Sequence, residues 1–193
     1  PQIGDQNPVS LVTSMFLQGG FMHLAGNMLL LWVVGDNLED IMGHLGFLLF
    51  YAASGIGAAF LQVFSAPDSL VPMVGASGAI AGVMGGYLLL FPKAKVDILL
   101  ILIVIFRIIP VPAWIMLGLW FGLQLFNGIS SEAGSGGVAY WAHAGGFIVG
   151  LALTVPAWLR LGGPQYWSRT HGHPPHPEAQ YRFQRTSVPK VRR

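Results

Sequence analysis

Four of the polar side chains inside otherwise apolar blocks of this sequence could do chemistry together: His23 and Asn27 in the first, Ser77 in Gly75-Ala76-Ser77-Gly78, and His143 in Trp141-Ala142-His143-Ala144. A serine hydroxyl attacks a carbonyl only when a neighbouring base takes its proton, and a neutral imidazole is the usual base. Ser77 and His143 supply that pair. The attack creates an oxyanion, which needs hydrogen-bond donors already in place. The side chains of His23 and Asn27 and the backbone N–H of Ser77 are donors of the right kind, and a helix N-terminus at Ser77 has the right dipole sign. No Asp or Glu lies within the blocks that hold Ser77 and His143, so the pattern fits a dyad rather than a three-member triad. The chain has no cysteine, which removes thiolate nucleophiles, disulfides and cysteine metal sites together.

Each of these residues also has a purely structural reading. Ser77 sits among small residues, where a serine often bonds its own helix backbone. His143 can serve as an interhelical hydrogen-bond donor, and His23 and Asn27 as polar contacts between packed helices.

The elements that must position these groups follow from composition. Hydrophobic residues make up 53% of the 193-residue chain and charged residues only 9%, against about 25% charged in a soluble domain. A water-soluble fold is excluded, and nothing in the composition suggests a nucleic-acid partner. The apolar blocks approach the ~20 residues that span a hydrocarbon core. They predict an all-α membrane protein with five transmembrane helices, at about residues 15–35, 45–64, 73–91, 111–129 and 138–159. The apolar run 98–106, followed by Arg107, Pro110 and Pro112, is too short to cross and is expected to lie along the interface.

With five spans, all basic residues, from Lys93 and Lys95 through Arg107 and Arg160 to the C-terminal cluster, fall on one side. The positive-inside rule makes that side cytoplasmic, while the opposite loops carry Asp5, Asp68 and Glu132. Counting 98–106 as a sixth span would split the basic residues between both faces. A membrane domain is expected over residues 1–161, and a disordered, basic, cytoplasmic tail over 162–193, rich in Pro, His, Gln and Arg. His171, His173 and His176 in that tail define no ligand geometry, so no metal or other cofactor is expected. The chain starts at Pro1 without a Met and is read as a fragment lacking its natural N-terminus.

Spans one, three and five run in the same direction, and the four polar residues lie in the first two or three turns of each. At 1.5 Å per residue they share one depth, in the outer part of the membrane. His23 and Asn27, four residues apart, share a helix face. Gly78, Gly82 and Gly86 recur every four residues along the third span, as Gly146 and Gly150 do along the fifth. If these small-residue stripes meet backbone to backbone, Ser77 and His143 come within hydrogen-bond reach.

At this point the sequence resembles the rhomboid intramembrane serine proteases, over nearly the whole chain to about Leu161. The likeness rests on His23-Leu24-Ala25-Gly26-Asn27 (HxxxN), Gly75-Ala76-Ser77-Gly78 (GxSG), and Ala142-His143 followed by Gly146 and Gly150 (AHxxGxxxG). The resemblance implies a rhomboid-like helical bundle whose family core has six helices, with Ser77 and His143 as the dyad. His23, Asn27 and Ser77 would line the oxyanion hole, and Gly75, Gly78, Gly146 and Gly150 would support it. Implied substrates are single-pass transmembrane proteins within the lipid bilayer, cleaved through an acyl-enzyme. Water would enter from the non-cytoplasmic face of an inner or plasma membrane, with the loop 128–137 and the fourth span gating entry.

Two departures stand out. The family's first helix and the membrane-lying loop after it are absent. Gln18, in Phe16-Leu17-Gln18-Gly19-Gly20, stands where many members carry His, which implies reduced or retuned activity. The alternative function is a non-catalytic rhomboid-like protein that holds membrane clients, although such relatives typically lack the serine or the histidine. A channel or transporter fits less well, because no pair of broken spans or intramembrane carboxylate marks an ion path.

Overall fold

In the computed structural model the described residues are 13–65, 75–102, 105–130 and 139–175. A short 3-10 turn, Ser14–Phe16, precedes helix α1, Phe21–Ser65. Gly43 breaks α1 with φ 71° and ψ 162°, a backbone region open mainly to glycine. On a straight helix Leu38 and Phe50 would stand about 18 Å apart, yet the side chains of both meet Gly86. The chain therefore reverses sharply at Gly43, and the two arms, 21–42 and 44–65, act as two separate spans.

Helix α2, Ser77–Leu90, is apolar on all sides and is buried without interruption from Ala79 to Tyr87. A helix of that composition belongs inside a bundle. Its neighbours fix its register. Gly78 faces Ala58, and Gly82 faces Ser54, so the second arm of α1 runs antiparallel to α2. Helix α4, Tyr140–Arg160, runs parallel to α2, with Gly146 against the Gly78 carbonyl and Gly150 against the backbone of Gly82. The two glycine stripes expected to meet do meet, and no Cβ would fit between them. Leu38, Ile80, Met84, Leu90, Phe91 and Leu117 form the centre of the core.

The segment after α2 is a two-stranded antiparallel hairpin, β1 (Lys95–Leu102) and β2 (Ile105–Pro112), with Lys95 opposite Pro112. It returns the chain to where it left α2: the Ala113 N–H donates to the Ala94 carbonyl at 2.8 Å, and the Trp114 N–H to Pro92 at 3.0 Å. The chain thus leaves and re-enters the bundle at one level, and residues 103 and 104 of the apolar run lie outside the described residues. Helix α3, Ala113–Ser130, follows on the periphery, where only Ala113 and Leu117 are buried. Among the described residues three helices, α1, α3 and α4, are long and apolar enough to cross a membrane.

One expectation is corrected. The chain from Gly162 was read as the start of a disordered tail, but Pro164–Thr170 forms helix α5 and packs under the bundle. Gly162 and Gly163 turn the chain with positive φ values of 111° and 56°, and Pro164 opens the helix, where its missing N–H costs nothing. Trp167 packs at a tilt against Trp158, ring centroids 4.8 Å apart, and donates its indole N–H to the Leu89 carbonyl at 2.9 Å, while Tyr166 is buried against Phe91. Arg169 donates to the Leu161 carbonyl at 2.6 Å, and the Gly172 carbonyl accepts from the Lys93 N–H at 3.0 Å. Aromatic burial outweighed the polar composition of this stretch. The rest of the tail with His176, most of the loop 128–137, and Asp5, Asp68 and Glu132 lie outside the described residues.

Candidate active site

Ser77 is the first residue of α2. The chain enters it through Gly75 at φ 113°, and a Cβ at Gly75 would collide with the imidazole of His23, so both backbone angle and space require glycine there. Ala76 occupies the cap position and no side chain caps the helix among the described residues. The N–H groups of its first turn, including that of Ser77, keep their donor capacity. Because Gly78 lies level with Gly146, α4 continues outward for six more residues to Tyr140, about 9 Å. Ser77 is half-buried, about two turns deeper than the start of α4.

His143 stands one turn into α4. The buried Gln62, from the second arm of α1, accepts the Ala142 N–H at 2.9 Å and so satisfies one of the orphan donors at the start of that helix. Across the α2–α4 seam the Ser77 Oγ lies 2.9 Å from the His143 Nε2, a contact between residues 66 positions apart in sequence. The other ring nitrogen, Nδ1, lies 2.9 Å from the Oε1 of Gln124 on α3. An amide oxygen only accepts, so Nδ1 carries the proton and Nε2 presents a lone pair to the serine hydroxyl. One turn before Gln124, Trp120 lies against the same imidazole, with ring centroids 5.7 Å apart.

His23 and Asn27 lie on the first arm of α1, one helical turn apart. The Gly19 N–H donates to the His23 Nδ1 at 3.0 Å, which places the proton of the neutral ring on Nε2, beside Gly75. Asn27 is buried, donates from Nδ2 to the Gln18 Oε1 at 3.0 Å, and holds the same Nδ2 3.4 Å from the His23 Nε2. Both of those nitrogens are donors in this arrangement. They converge rather than bond each other, and a negatively charged oxygen beside them would accept from both.

The four residues singled out by type and spacing are thus gathered at one end of the bundle, with Gly75, Gly78 and Gly146 beside them and Gly150 about one turn further in. Two glutamines that the sequence reading passed over, Gln62 and Gln124, touch the histidine helix and the histidine ring. The signal for them was the one that found the others: each is a polar side chain inside an apolar span, where an unpartnered amide is costly.

The rhomboid domain family matches residues 5–160 of the chain. Among curated proteins, the chain is similar to rhomboid protein 1, mitochondrial, of Saccharomyces cerevisiae, with 34% identity covering 74% of this chain and 40% of that protein. Similarity to rhomboid protease GluP of Bacillus subtilis is also 34%, covering 76% of this chain and 26% of that protein. RHOMBOID-like protein 2 of Arabidopsis thaliana is 30% identical, covering 83% of the chain and 46% of that protein. The chain therefore spans less than half the length of these curated relatives. No solved structure matches it.

Proposed function

The chain belongs to the rhomboid family of integral membrane proteins, and on that premise we propose that it is a serine endopeptidase that cleaves transmembrane protein substrates inside the bilayer. The observation that carries this reading is the 2.9 Å contact between the Ser77 Oγ and the His143 Nε2, with Nδ1 already protonated toward Gln124. Geometry of that kind is what nucleophilic catalysis requires.

In the proposed reaction the His143 Nε2 takes the Ser77 hydroxyl proton as Oγ bonds the substrate carbonyl carbon. The carbonyl oxygen becomes an oxyanion held by the His23 Nε2–H, the Asn27 Nδ2–H and the Ser77 N–H. As the C–N bond breaks, His143 gives its proton to the departing amine, leaving an ester on Ser77. Water then loses a proton to His143 and attacks the ester, and Ser77 recovers its proton when the acid product leaves. That water would reach Ser77 from the membrane face at which α2 and α4 begin. By the distribution of Lys and Arg that face is the non-cytoplasmic one, and an inner or plasma membrane is the proposed location.

Reconstitution in liposomes with a single-pass transmembrane substrate tests the reading. Wild type should cleave, while Ser77→Ala and His143→Ala should not, with both variants retaining the wild-type unfolding temperature. Cleavage by Ser77→Ala at the wild-type rate would overturn the assignment. Absence of cleavage by wild type across a panel of such substrates, combined with stable capture of them, would instead favour a client-binding protein.

A further inference from the structure

The Ser-His pair is described above as a dyad, because no carboxylate lies in the helices that carry it. The structure nevertheless fills the position behind the histidine. Gln124 Oε1 lies 2.9 Å from the His143 Nδ1, on the side of the ring opposite Ser77. Resting on the proteolytic reading, we propose that Gln124 is a positioning residue, a neutral third member that holds His143 in the tautomer and rotamer able to accept the serine proton.

The physical case begins with the tautomer. Neutral imidazole carries one proton, and only the Nδ1–H form leaves the Nε2 lone pair facing Ser77. An acceptor at Nδ1 selects that form. Once Nε2 takes the serine proton the ring becomes a cation, and the bond from Nδ1–H to Gln124 turns into a charge-assisted one, which strengthens it during the chemical step. The amide oxygen thereby contributes more in the transition state than in the ground state, which is what accelerates a reaction.

Its neutrality suits its place. Gln124 is half-buried on α3, a helix that carries no charged residue. A carboxylate at this half-buried position would pay a desolvation cost, partly returned by pairing with the imidazolium. An amide presents the same oxygen without a net charge.

The helix around Gln124 is arranged to hold this contact. Trp120, four residues earlier, covers a face of the His143 ring, and Phe121 stacks on Phe147 at 4.7 Å. Trp120 and Gln124 lie on one face of α3, as residues four apart do. Ring orientation and ring protonation are thus set by two side chains from a single helical turn. The Gln124 oxygen bonds His143 and stands on the side of the ring opposite Ser77, so its proposed effect passes through His143.

Three variants test the inference with the full chain in detergent micelles: Gln124→Met, which keeps the volume and loses the acceptor; Gln124→Glu, which keeps an acceptor and cannot donate; and Gln124→Ala, which takes the place of the Met variant if that one fails to fold. The expected result for Gln124→Met is a fall of about 10- to 100-fold in kcat, with KM within about twofold and the unfolding temperature unchanged. Gln124→Glu should recover most of that loss, which a packing role would not explain. A wild-type kcat in Gln124→Met, or a loss in Gln124→Glu equal to that in Gln124→Met, would overturn the inference. Ser77→Ala is run beside them: if it cleaves like wild type, the proteolytic reading fails, whereas if it is dead and Gln124→Met is not impaired, only the role of Gln124 fails.

Discussion

The seam between α2 and α4 and the helix α3 both reach His143, and they hold it by opposite means. Along the seam, Gly78 meets Gly146 and Gly82 meets Gly150 with no room for a Cβ, so backbone is set against backbone. Helix α3 leaves most of its length exposed, with Leu119, Leu123, Phe126 and Ile129 outward, and meets His143 through Trp120 and Gln124. The seam fixes where the two reacting groups stand. In the proposed reaction helix α3 orients the histidine, from a stretch beyond its core residues Ala113 and Leu117 that is largely exposed. Disturbing the seam should therefore destroy fold and activity together, and disturbing α3 should separate them.

The largest effect is expected from Gly150→Leu. Its side chain would occupy the space of the Gly82 backbone, and since backbone cannot move aside as a flexible side chain does, the loss should exceed about 4 kcal/mol. Thermal unfolding in micelles should show no cooperative transition. A stable, active Gly150→Leu protein would mean that the seam is looser than described. Next in size is Asn27→Ala, off the seam but beside the nucleophile, for which kcat should fall about 100- to 1,000-fold with the fold intact, the usual cost of one oxyanion donor. A wild-type rate would remove Asn27 from the oxyanion site.

Gln62→Leu sharpens the contrast from the other side, because it leaves the buried Ala142 N–H without its acceptor. The expected cost is about 1–3 kcal/mol of stability, read as a lowered unfolding midpoint with kcat per folded molecule changed far less than in Asn27→Ala. The smallest effect belongs to Leu123→Ala on the outer face of α3, expected within about 0.5 kcal/mol and without change in kcat. An effect on the scale of Asn27→Ala would show that α3 is as tightly coupled to the chemistry as the seam is.

Much of this arrangement was legible before any coordinates. Apolar block lengths gave the spans, four-residue glycine spacing gave the α2–α4 contact, and the cost of polar groups in apolar helices pointed to Ser77, His143, His23 and Asn27. The same cost applied to Gln62 and Gln124, but their roles depend on which helix faces which, and a sequence does not state that α3 turns Gln124 toward α4. Helix α5 was hidden for a different reason. Its seven residues are held by tertiary burial of Tyr166 and Trp167, and so short a helix has little local propensity to reveal it. The reversal at Gly43 fell where two blocks were expected to join, although the positive φ that makes it sharp has no signature beyond the glycine itself.

The proposal that Ser77 is a nucleophile activated by His143 is tested most directly by mass-spectrometric mapping of a fluorophosphonate adduct on the intact protein in micelles. A single adduct on Ser77 is expected, lost in Ser77→Ala and slowed by roughly 1,000-fold or more in His143→Ala. Labelling of a different serine, or equal labelling of Ser77 with and without the histidine, would contradict it.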